Sequence, residues 1–111
     1  MPYKLSRCVA LQTPDLKKAI TFYEGVIGLK VKSNDGQMAE LATNPIRLFI
    51  DSGKPLGPIM EFNVPDLEAA RQELTNAGCQ IVRWEGKGKP CYIRDPFGFL
   101  FNNYEEPETF K

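Results

Sequence analysis

The chain repeats itself. Thr13-Pro14-Asp15-Leu16-x-x-Ala19 recurs as Val64-Pro65-Asp66-Leu67-x-x-Ala70, an offset of 51 residues. Downstream, Ile27-Gly28-Leu29-Lys30-Val31 corresponds to Ala77-Gly78-Cys79-Gln80-Ile81 with one residue lost, and Asn44-Pro45 to Asp95-Pro96 with the offset restored. Self-similarity at a fixed period in 111 residues predicts one domain, 1–111, built from two modules of one plan, 1–54 and 55–111. The stretch 51–58, with two glycines and two prolines, has the composition of the linker between them.

Each module opens on a short alternating run, 6–12 and 58–64, whose period of two predicts a strand. A helix comes next in both. In the first, Thr13 or Asp15 can cap the free amides, and Leu16, Ala19, Ile20, Tyr23 and Val26 form the apolar stripe, with Phe22 also expected in the core. In the second, Asp66 caps and Leu67, Ala70, Leu74 and Ala77 form the stripe. Gly28 and Gly78 stand where a left-handed residue closes a helix. Three more runs complete each module, 29–33, 37–42 and 46–51, then 80–84, 90–94 and 99–104, separated by Gly, Asn, Asp and Pro turn chemistry. Each module is therefore βαβββ and the fold class α+β. A sheet covered by its helix on one face leaves the other open, so two such modules are expected to form a curled mixed sheet around a cavity, where function should lie.

Charge narrows the partners. Fourteen basic and fourteen acidic residues leave a formal net charge of zero, so no positive field gathers phosphates and nucleic acid is not expected. The chain has no histidine, which removes the commonest general base and the commonest transition-metal ligand. Cys8, Cys79 and Cys91 are odd in number and lack Cys-x-x-Cys spacing; they are expected as reduced thiols of a cytoplasmic protein. No apolar run has the length of a membrane span, so no membrane partner is expected.

Taken in order and duplicated, Asp15-Leu16-x-x-Ala19-x-x-Phe22-Tyr23, Ile27-Gly28-Leu29-x-Val31, Val64-Pro65-Asp66-Leu67-Glu68-Ala69-Ala70 and Arg94-Asp95-Pro96-Phe97-Gly98-Phe99 resemble the vicinal oxygen chelate superfamily. That superfamily comprises glyoxalases, extradiol dioxygenases and bleomycin-resistance-type binding proteins, and the resemblance covers nearly the whole chain. It implies paired βαβββ modules enclosing a U-shaped cavity, commonly in a homodimer, with a divalent metal at the cavity floor in the enzymes. In metal-using relatives a histidine usually lies seven residues before the helix-opening aspartate; those places here hold Cys8 and Ile59, and the family's glutamate falls at Asn102. A divalent ion of this class needs nitrogen or carboxylate donors converging at about 2.0 to 2.2 Å, and isoleucine has none, so neither metal nor cofactor is expected. A displaced site would have to combine Glu61 with Asp51 or Cys8, although two residues along a strand move a side chain by roughly 6 to 7 Å.

Strand alternation assigns Val9, Leu11, Met60, Phe62 and Val64 to the helix side, and Cys8, Ala10, Gln12, Ile59, Glu61 and Asn63 to the cavity. Glu61 is either a rim group or an ion-pair partner of a basic side chain such as Arg47, or a carboxylate that binds ligand and, if desolvated, serves as catalytic base. Along 46–51, Ile46, Leu48 and Ile50 read as core, which turns Arg47, Phe49 and Asp51 the other way. Arg47 is either a ligand-carboxylate clamp or a surface cation lying over the sheet. Tyr92, Arg94, Asn102 and Tyr104 are expected as a polar and aromatic wall, while Phe49 and Trp84 offer flat surfaces to a planar ligand or fill core. Lys87-Gly88-Lys89 reads as a solvated hairpin tip and Glu105-Glu106-Pro107-Glu108 as a frayed end.

The expected ligand-binding set is thus Gln12, Arg47, Phe49, Glu61, Tyr92, Arg94, Asn102 and Tyr104. It supports a metal-independent protein that holds a small organic ligand in the cavity between modules. The alternative is an enzyme, a glyoxalase-like lyase or isomerase or a dioxygenase-like protein, using Glu61 as base or a relocated ion. A third possibility is a structural or regulatory protein with a vestigial cavity.

Overall fold

Alternating residues become strands in both halves. The computed structural model, which describes residues 2–111, runs β1 (Lys4–Thr13), α1 (Leu16–Phe22), a π-helical turn (Tyr23–Ile27), β2 (Val31–Asn34), β3 (Met38–Leu41) and β4 (Arg47–Ser52). It continues with β5 (Leu56–Val64), α2 (Leu67–Asn76), β6 (Gln80–Trp84), β7 (Cys91–Arg94), β8 (Leu100–Glu105) and a final 3₁₀ turn (Pro107–Phe110). The architecture is α+β with the βαβββ order in each half. Residues 53–55 alone separate β4 from β5, so the expected linker is mostly strand. The chain groups into two compact units, Arg7–Ile59, and the residues as far as Ser6 together with Met60–Lys111. Among the described residues no helix is long and apolar enough to cross a membrane.

In the unit Arg7–Ile59 the strands lie in the order β2-β3-β4-β1. β1 runs parallel to β4, with Cys8 opposite Arg47, Ala10 opposite Phe49 and Gln12 opposite Asp51, and β4 runs antiparallel to β3. The helix is capped by Asp15, whose side chain accepts from Lys18 N, while Thr13 Oγ1 accepts from Asp15 N at 3.2 Å. Leu16 packs on Ala39, Leu41 and Ile50, with Ala19, Ile20, Tyr23 and Leu48 around them. Burial of a leucine or isoleucine of this kind contributes roughly 1.5–3 kcal/mol, which is what fixes the helix on this face.

The stripe fails at its end. After Phe22 the helix widens into a π turn closed by Gly28 at φ 88°, with Gly28 N donating to Tyr23 O. The wider turn rotates the next residues away from the α-helical stripe, and Val26 is 71% exposed rather than core. Phe22 is also corrected: it is 47% exposed and lies edge-on to Tyr23, with centroids 5.3 Å apart. Ile46, expected as core, precedes β4 and is exposed.

In the other unit the order is β5-β8-β7-β6, with β5 parallel to β8 and the remaining pairs antiparallel. Asp66 Oδ1 caps α2 by accepting from Ala69 N at 2.8 Å, and Gly78 takes φ 98° after the helix. Val64, Leu67, Ala70 and Cys91 form the core, with Tyr3 and Trp84 packed against them. The expected frayed end is instead tied down. Glu105 Oε1 accepts from Leu67 N at 2.9 Å, and its other oxygen stands 3.0 Å from Lys87 Nζ. The Leu67 amide and Lys87 hold the Glu105 carboxyl below the usual range. Lys4 Nζ sits 5.2 Å from the centre of the Phe110 ring.

Candidate functional site

Two polar faces emerge, one in each unit. In the unit completed by Met60–Lys111, Glu61 and Asn63 share a face of β5, and the parallel register sets Asn102 beside Glu61 and Tyr104 beside Asn63. Tyr92 lies opposite Asn102 on β7, and Arg94 stands two residues further along. Five of the expected residues, Glu61, Tyr92, Arg94, Asn102 and Tyr104, therefore stand on one side of one sheet.

Glu61 is held by neutral donors. Ser6 Oγ donates to its Oε2 at 2.8 Å and Asn102 Nδ2 to its Oε1 at 3.0 Å. Asn102 is fixed at its other end as well, because its Oδ1 accepts from Cys91 N at 2.8 Å. The expectation of an Arg47 partner for Glu61 is thus replaced by a serine and an asparagine. Asn63 differs from its neighbours: its Oδ1 is buried and has no hydrogen-bond partner among the described residues. Tyr92 is almost wholly buried, with the Arg83 guanidinium 6.0 Å from its ring centre, so it forms the base of this face more than its wall. Tyr104 is exposed, and Arg94 Nη1 donates to Gly98 O at 3.1 Å, bracing the Asp95–Gly98 turn.

The face of the unit Arg7–Ile59 carries Gln12, Arg47 and Phe49. Arg47 makes two hydrogen bonds of 2.9 Å, from Nε and Nη2, to the carboxylate of Glu40, and its guanidinium lies 5.1 Å from the Phe49 ring centre. Glu40 is absent from the set expected from sequence, yet it is only 7% exposed and opposite Phe49 in register. The hydrogen bonds from Arg47 hold its carboxyl below the usual range, against the opposing effect of burial, with Lys32 and Arg7 adding to the shift. Alternation of Ala39, Glu40 and Leu41 is the signal that could have found it, since a charge inside an apolar strand requires a partner. Gln12 is buried, with Nε2 donating to Lys54 O at 3.0 Å.

Two of the cysteines, Cys79 and Cys91, offer little nucleophilic chemistry. Burial pushes the Cys91 thiol up, against hydrogen bonds to backbone groups, and Sγ donates to Gly86 O at 3.4 Å. Burial, with the Asp95 charge second, pushes Cys79 up as well.

A divalent metal of the kind the resemblance implies does not fit these residues. Ile59 is a buried hydrocarbon, and Asn102 spends both ends of its amide on Glu61 and Cys91. Among the described residues no three His, Cys, Asp or Glu side chains form a group that could hold a metal ion.

Comparison with known proteins agrees with this architecture. The family model described as the Glyoxalase/Bleomycin resistance protein/Dioxygenase superfamily matches residues 5–102. Among solved structures, the chain is similar to an extradiol ring-cleaving dioxygenase from B. fuscum, at 25% identity and a TM-score of 0.61. That match covers 93% of this chain and 32% of the dioxygenase, so the chain spans about a third of that protein. A glyoxalase/bleomycin resistance protein/dioxygenase superfamily member from Vibrio splendidus 12B01 matches at 20% identity and a TM-score of 0.60, over 95% of this chain and all of its own. A hypothetical protein from Bacillus halodurans C-125 matches at 18% identity and a TM-score of 0.59, over 96% of both chains. These last two likenesses are of fold. No curated protein matches the chain in sequence.

Proposed function

Since the chain belongs to the glyoxalase/bleomycin resistance protein/dioxygenase superfamily, we propose that it binds a small organic ligand without a metal ion, on the face formed by Glu61, Asn63, Asn102 and Tyr104. The observation that carries this is the buried, unpartnered Oδ1 of Asn63 beside the hydrogen-bonded Glu61. An acceptor removed from water without a donor costs about 1–3 kcal/mol, and a ligand N–H or O–H placed there removes that cost. The class of ligand is therefore one with a hydrogen-bond donor next to a flat or apolar body that can lie on Tyr104. Ile59 and Asn102, at two of the positions where the resemblance places metal donors, support binding without an ion.

The protein acts as a homodimer on this proposal, supported by Phe22, Val26 and Ile27, which the π turn leaves exposed together at the end of α1. Three free thiols support a reducing, cytoplasmic setting. The test is a ligand screen by thermal shift, run in parallel on the wild type and on Glu61→Gln. A compound that raises the wild-type Tm and leaves the variant's unmoved supports the proposal; hits that ignore the substitution contradict it.

A further inference from the structure

Met60 and Phe62 alternate with Glu61 and Asn63 along β5, so they stand on the other side of the sheet, the side on which Val64 packs under Leu67 of α2. There an open pocket of about 290 Å³ is lined by Tyr3, Met60, Phe62, Phe99, Phe101 and Asp95. Phe62 and Phe101 meet edge to face with centroids 5.1 Å apart, and Phe99 is 69% exposed. Asp95 is the charged residue of the lining. Its Oδ1 accepts from Phe97 N at 2.8 Å and Phe99 N at 2.9 Å, two bonds that fix the carboxylate. A second carboxylate stands behind the rim, because Tyr3 donates its hydroxyl to Glu73 at 2.7 Å.

We propose that this pocket binds a small organic cation, its ammonium paired with Asp95 and its apolar body laid against Phe62, Phe99 and Phe101. Aromatic faces and a fixed carboxylate attract the same kind of charge, and both attractions grow as water is displaced. Charge complementarity selects this occupant. An apolar or anionic ligand, or an apolar patch of a second copy of the chain, would cover the Asp95 carboxylate with no counter-charge.

The experiment is a calorimetric titration of the full chain with benzyltrimethylammonium, set beside benzyl alcohol and phenylacetate, which keep the ring and change the charge. The cation is expected to bind about tenfold more tightly than either. Asp95→Asn keeps the oxygen that accepts from Phe97 and Phe99 and removes the charge, and it should abolish that preference. Phe62→Leu should weaken the cation severalfold, and Glu61→Gln should leave it unchanged, which separates this pocket from the Glu61 face. Equal binding of the three probes, or a preference that survives Asp95→Asn, overturns the proposal. So does a dimer that excludes the probes and dissociates on Phe99→Ser, since a second copy would then be the occupant.

Discussion

Asn102 donates its amide to Glu61 at 3.0 Å and accepts from the Cys91 backbone at 2.8 Å, so one neutral side chain couples β5, β8 and β7. At the place where the resemblance puts a metal-binding carboxylate, the chain has a structural amide. Asn102→Leu should destabilise the protein by about 1–3 kcal/mol, because the buried Cys91 N–H and one Glu61 oxygen lose their partner together. Glu61→Gln should cost less than about 1 kcal/mol, since its amide oxygen can still accept from Asn102 and its NH₂ can donate to Ser6 Oγ. Denaturant unfolding of both variants checks the order.

Asn63→Leu separates stability from binding. It removes an acceptor that has no partner among the described residues, so the free protein should be unchanged or slightly more stable, while a ligand that donates to Oδ1 should bind about tenfold less well. Equilibrium unfolding and titration with a screened ligand measure the two effects independently. A large loss of stability with full affinity would place Asn63 in the fold and not in the site.

The Glu40 and Arg47 pair should set part of the acid sensitivity. The carboxyl of Glu40 lies below its ordinary value of 4.5 in the folded protein, so between the folded and unfolded values the unfolded chain binds more protons. Its contribution is present above about 4.5 and is lost as pH falls through the folded value. The wild-type Tm should therefore fall more steeply than that of Glu40→Gln on acidification from about pH 5 to pH 3. Arg47→Ala should cost about 2 kcal/mol at neutral pH, less than a fully buried pair because the arginine is partly exposed.

Gly57 has φ 141°, and a Cβ there would stand 3.1 Å from Leu11 Cδ2 and 3.3 Å from Leu11 Cα. The second of these is backbone and cannot step aside. Gly57→Ala should lower stability by about 1–3 kcal/mol, visible as a shift of the unfolding midpoint without a change in its slope.

The repeat and the alternation make the fold legible from the residues alone. Strand β6 falls on 80–84 as expected, and Asp15 and Asp66 cap their helices. The features that stay hidden in the sequence depend on single-residue insertions and on partners distant in the chain. A π turn shifts the stripe after Phe22 without any marker beyond Gly28. Glu105 reads as part of a polar tail because its partners, Leu67 and Lys87, are 38 and 18 residues away. At the site, alternation places Glu61, Asn63 and Arg47 on the faces where they are found, but it does not reveal their partners. Ser6, Asn102 and Glu40 supply the contacts, and strand register brings Asn102 beside Glu61 and Glu40 within reach of Arg47.

Metal-free binding at the Glu61 face is the central claim, and calorimetric titration of a screened ligand tests it most directly. The protein is first dialysed against a chelator, then titrated alone and again after adding one equivalent of manganese, iron(II), nickel or zinc. The account predicts the same Kd in every case, with affinity lost in Glu61→Gln. Binding that appears only with a metal ion present, at about one ion per chain, would contradict it.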